Sequence, residues 1–98
     1  MKEIVDILNC IADELDDADK YAELAKHCEE KDLVVAKVYK KLAGDELTHM
    51  DELHKQIVRV IEEYKAKGET IPSDMMAIYK WEHKKIMQHV DWIKAKLH

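Results

Sequence analysis

Apolar residues recur along the first third of the chain at Ile4, Ile7, Leu8, Ile11, Leu15, Ala18, Tyr21, Ala22 and Ala25, the three-and-four spacing of one helix face. This stripe predicts an amphipathic helix over about residues 2–28. A polar interval from Glu29 to Asp32 follows, and Asp32 is placed to cap the next helix through its carboxylate. The second stripe, Val35, Val38, Tyr39, Leu42, Met50, Leu53, Ile57, Val60, Ile61 and Tyr64, predicts a helix over about 33–67, with Gly68 as the residue just past its end. The connector from Gly68 to Ser73 holds the only proline, and Ser73 or Asp74 caps a third helix over about 74–97. Its expected inner face is Met75, Ile78, Tyr79, Ile86, Val90, Ile93 and Leu97.

Composition agrees with this reading. At 98 residues the chain is one domain's worth, and with 47% hydrophobic and 38% charged residues but only two Gly and one Pro it lacks the turn punctuation of a β-sandwich. The expected fold class is all-α: a long antiparallel helical hairpin plus a third, C-terminal helix, in a single domain over 1–98. Eighteen residues separate Cys10 from Cys28 within one helix, a rise of about 27 Å, so no intrachain disulfide is available.

Sixteen Lys and Arg against 21 Asp and Glu give a net charge of −5, which disfavours nucleic acid and an acidic membrane surface as partners. No apolar run approaches the roughly 20 residues needed to span a bilayer, and no apolar leader core follows Lys2, so the expected location is cytoplasmic. The acidic excess is concentrated in residues 1–32, which hold 4 basic and 11 acidic residues. The first helix thus has an electrostatic reason to lie beside the other two.

The informative positions are polar residues where the period demands apolar ones, because an unpaired buried carboxylate costs several kcal/mol. Glu14 stands three residues after Ile11 and four before Ala18, and Glu46 and His49 occupy the steps between Leu42 and Leu53. With the hairpin turn centred near Glu30, Glu14 and Glu46 each lie 16 residues from it and share one level, as do Ile11 with His49 and Tyr21 with Tyr39. Two inward carboxylates at one depth repel unless a cation lies between them. Glu46 and His49 add an oxygen and an imidazole nitrogen one turn apart on the same face. Mixed carboxylate and imidazole ligation suits iron, manganese or zinc.

The stretch from Glu14 to Tyr21, with a Glu seven positions before a Tyr, and the segment Ala43-Gly44-Asp45-Glu46-Leu47-Thr48-His49-Met50, with its Glu-x-x-His, resemble the two metal helices of one half of a ferritin-like bundle. Ferritins, rubrerythrins and encapsulated ferritins form that superfamily, and the resemblance covers roughly residues 4–67. The usual four-helix domain carries a second Glu and a second Glu-x-x-His, and this chain has neither. The likeness is therefore to the two-helix encapsulated ferritins, and it implies a homo-oligomer in which two hairpins join as a four-helix bundle. It further implies a di-iron centre shared between subunits, with Glu46 bridging and Glu14 and His49 as terminal ligands, that oxidises ferrous iron with dioxygen or peroxide. The C-terminal tail that addresses encapsulated ferritins to a protein shell is not matched by Lys96-Leu97-His98, so residence in a shell is not expected. The competing expectation is a non-catalytic helical interaction or scaffold module whose polar seam sets its register.

Other residues carry blander expectations. Tyr21 and Tyr39 pack in the seam with hydroxyls at its rim, and His27, His54 and His98 are solvated. Glu82 and His89, in line on the third helix, support oligomer packing or a second metal position, and Asp13, Asp16, Asp17 and Asp19 form a solvated acidic face or, alternatively, an iron entry path or weak surface iron sites. Gly44 either permits a close helix approach or is merely tolerated at about 1 kcal/mol relative to Ala. The methionines and tryptophans are packing residues.

Overall fold

The computed structural model describes residues 2–98 as three helices, α1 (Lys2–Cys28), α2 (Leu33–Ala66) and α3 (Ser73–Leu97). The molecule is a rod of 56 × 18 × 18 Å. All three predicted helices are present, with boundaries within a residue of those expected.

The ends form for the local reasons the sequence supplies. Asp32 caps α2, accepting a hydrogen bond from the Val35 amide at 3.1 Å. Gly68 follows α2 with a φ of +72°, where a Cβ would be strained, and the Glu69 amide donates back to the Tyr64 carbonyl. At α3 the expectation is corrected: Pro72 takes the cap position, and Asp74 accepts only from the Met75 amide next to it, at 2.9 Å. Proline suits this site because it has no amide hydrogen to leave unpaired.

One contiguous core draws on all three helices, and Ile4, Ile11, Ile57 and Ile93 are its largest fully buried side chains. The α1 stripe lies where the period places it, with Ile4, Ile11, Leu15, Ala18, Ala22 and Ala25 buried. In the first half of α2 the stripe is rotated from expectation. Ala36 and Ala43 face α1, whereas Val35 and Val38 are 37% and 53% exposed and Tyr39 and Leu42 are half-buried. The physical reason is size. Alanines on both helices let the hairpin close tightly near its loop, and the larger side chains turn onto the flank. Ile78 is likewise corrected from core to surface, at 52% exposure.

Helix α3 leans mainly on α1, and its C-terminal half is fastened there by charge. Lys96 Nζ lies 2.6 Å from both Asp19 Oδ1 and Glu23 Oε1, and His89 Nε2 lies 3.5 Å from Asp19 Oδ2. Burial pulls the Lys96 ammonium down, but its hydrogen bonds with Asp19 and Glu23 outweigh this and hold it above the usual lysine value. Asp19 therefore belongs to the α1–α3 seam and not to a solvated face, and Glu82 pairs with Lys85 at 3.7 Å instead of with His89. Between α2 and α3 a groove of about 590 Å³ remains. Gly44 lines it, and a Cβ there would meet nothing within 4 Å, so close helix approach is not its role.

Both cysteines are free, as their separation requires. No helix among the described residues is long and apolar enough to cross a membrane.

Candidate metal centre

The hairpin register settles where the polar seam residues meet. Tyr21 stacks on Tyr39 with ring centroids 6.2 Å apart and planes 24° from parallel, fixing α1 against α2 at one level. Two turns further from the loop, the same register brings Glu14 of α1 against Glu46 and His49 of α2. One ligand atom from each of the three lies within 4.8 Å of the others. His49 Nδ1 is 3.4 Å from Glu14 Oε2 and 3.8 Å from Glu46 Oε2.

The surroundings of these groups are uneven. The Glu46 and Glu14 side chains are 20% and 29% exposed, while His49 is 53% exposed and closes the outer side. Glu14 Oε2 is shielded from solvent yet has no hydrogen-bond partner. An orphaned carboxylate oxygen of this kind is costly unless something absent from the bare chain satisfies it. Glu46 is held above the ordinary carboxylate range, first by a hydrogen bond shared with the Glu14 carboxyl, then by burial and by the Glu14 charge, with His49 opposing. Protonation of Glu46 is one way to relieve the repulsion between the two carboxyls. A divalent cation in its place would neutralise both and take the imidazole as a third donor. Two oxygens and one nitrogen form a donor set that fits iron, manganese or zinc.

The site lies on the flank of the hairpin remote from α3. On α1, Ala12 and Asp16 face α3, and Glu14, two residues from each, points about 160° away from both. On α2, Gly44 and Asp51 line the groove toward α3, and Glu46 and His49 each point about 140–160° away from both. Val35, Val38, Tyr39, Leu42 and Leu53 share the site's flank by helical spacing, so the stripe displaced from the core forms an apolar surround for the donors.

Among the other histidines, His27 and His98 are exposed as expected. His54 is corrected: it is half-buried, with its ring 4.8 Å from that of His83 on α3 and its Nε2 3.4 Å from the Tyr79 hydroxyl. Sequence reading overlooked His83. The signal available was its four-residue step from Tyr79, together with the step of four from Met50 to His54.

Against known proteins, the chain matches no family model, no curated protein and no solved structure.

Proposed function

We propose that this chain is a ferritin-like iron protein whose centre is completed by self-association, with ferroxidase activity toward ferrous iron. The observation that carries the reading is the orphaned Glu14 oxygen, shielded from water and grouped with Glu46 and His49. Glu14, Glu46 and His49 would hold the metal. One chain offers too few donors for two irons, and a second hairpin laid on the same flank would bring the set to four carboxylates and two imidazoles. The exposed valines beside the site supply the apolar area for that contact. When bound, iron supplies the redox chemistry, reducing dioxygen or peroxide. The protein's own groups shield the inner side from bulk water, offer the Glu14 and Glu46 carboxylates to the cation, and hold the imidazole outermost.

The test is anaerobic loading with ferrous iron followed by admission of air, with metal content, absorbance and sedimentation measured together. The expected result is about one iron per chain, an absorbance rise on oxidation, and a dimer or larger species that chelator weakens. Glu46→Ala and His49→Ala remove all three responses. Assembly indifferent to chelator, with no metal retained by the parent chain, would instead support the helical scaffold reading.

A further inference from the structure

On the opposite side of α2, the divergence of α2 from α3 leaves a groove with two imidazoles across its mouth. His54 projects from α2 and His83 from α3, their ring centroids 4.8 Å apart and planes tilted by 34°. Tyr79 flanks them, its ring 5.8 Å from that of His83 and its hydroxyl 3.4 Å from His54 Nε2. Asp51, one turn before His54 on α2, lines the same groove, so Asp51-x-x-His54 repeats the carboxylate-imidazole spacing of Glu46-x-x-His49. We propose a second metal site here, in which His54 and His83 together bind a zinc-class divalent cation and clamp α3 to α2.

The spacing suits such an ion. With metal–nitrogen bonds of about 2.0–2.1 Å, two imidazoles in a tetrahedral sphere have centroids about 5 Å apart, close to the separation of these two rings. Burial, and secondarily the proximity of His83, holds the His54 pKa below its ordinary value. Neither ring is engaged in an ion pair among the described residues. Asp51 is held by Lys55 at 3.2 Å on the solvent side, and its carboxylate would have to leave that partner to join as a third donor. The consequence is structural: α2 and α3 lean separately on α1, and a shared ion joins them directly. Borderline imidazole sites favour zinc, copper and nickel over calcium and magnesium.

The experiment separates this site from the one on the other flank. In a chain carrying Glu14→Ala, Glu46→Ala and His49→Ala, Zn²⁺ titration by calorimetry with elemental analysis should still give one ion per chain and a rise in melting temperature. Adding His54→Gln or His83→Gln should abolish both. No retained zinc in the triple variant, or zinc retained after both glutamine substitutions, overturns the proposal. Should the triple variant fail to fold by circular dichroism, imidazole nitrogen spectra of the unmodified protein decide. The expected result is that Zn²⁺ shifts the His54 and His83 resonances, and resonances that stay in place overturn the proposal equally.

Discussion

His49 on α2 lies 3.4 Å from Glu14 on α1, and the Glu14 oxygen it approaches is hidden from water and accepts no hydrogen bond. The hairpin therefore holds an electrostatic conflict that a cation would relieve, and the bare protein is less stable for carrying it. Because Glu46 is held above its ordinary value of 4.5, its contribution is fully present below pH 4.5 and lost as pH rises through the folded-state value. Glu46→Gln should raise the melting temperature of chelator-treated protein at pH 7 by up to roughly 4–8 °C, the equivalent of about 1 kcal/mol. The same substitution should abolish metal loading. Calorimetry at pH 7 and pH 4 checks the sign: the advantage of the variant should vanish at the lower value.

His54 gives the opposite slope. Burial comes first and the nearby His83 second in holding its pKa below 6.5, with Asp51 opposing. Its contribution is therefore complete above pH 6.5 and is lost as pH falls through the depressed folded-state value. Measured in a Glu46→Gln background, where the Glu46 slope is gone, urea-unfolding stability should decline as pH drops below 6.5. His54→Gln should flatten that decline, and an unchanged pH profile in the double variant would contradict the assignment.

Gly44→Ala should stabilise the protein by about 1 kcal/mol, since a Cβ at this interior helical position meets open groove and Ala costs less backbone entropy than Gly. A melting temperature higher by roughly 4–8 °C is the expected reading. A lower one would mean that the groove is filled in solution.

Lys96→Met keeps the aliphatic stem while removing the ammonium that Asp19 and Glu23 share. The loss of these charge-assisted bonds should cost about 1–3 kcal/mol. Lys96 is only 13% exposed, so moderate salt should weaken the parent little. Hydrogen exchange should locate the change in the second half of α3.

Val38→Asp places a charge on the site's flank at a position 53% exposed in the single chain. It should leave helicity and monomer melting nearly unchanged while shifting sedimentation to the monomer and lowering metal retention. Unaltered assembly would remove this flank as the contact between copies.

The helices and their stops were legible because each is written in local chemistry: Asp32 as a cap, Gly68 in the left-handed region, an unbroken stripe along α1. The juxtaposition of Glu14, Glu46 and His49 was legible as well, because an antiparallel hairpin with a short loop converts sequence distance from the turn directly into depth. What periodicity could not resolve was which of two apolar stripes on α2 faces inward. Ala36 and Ala43 lie about a quarter-turn from the larger Val35 and Leu42, and hydrophobicity alone favours the bulkier set. Close packing chose the small residues. The pairing of His54 with His83 was hidden for a different reason: it depends on where α3 settles, and no rule of spacing within α2 supplies that.

The tie between Lys96 and Asp19 joins residues 77 positions apart, whereas α1 and α2 meet across a loop of only a few residues. Loop-closure entropy therefore favours closing the hairpin before the contact between the two distant residues. Backbone amides near Val90 should therefore trade hydrogen with solvent sooner than those beside Ile11.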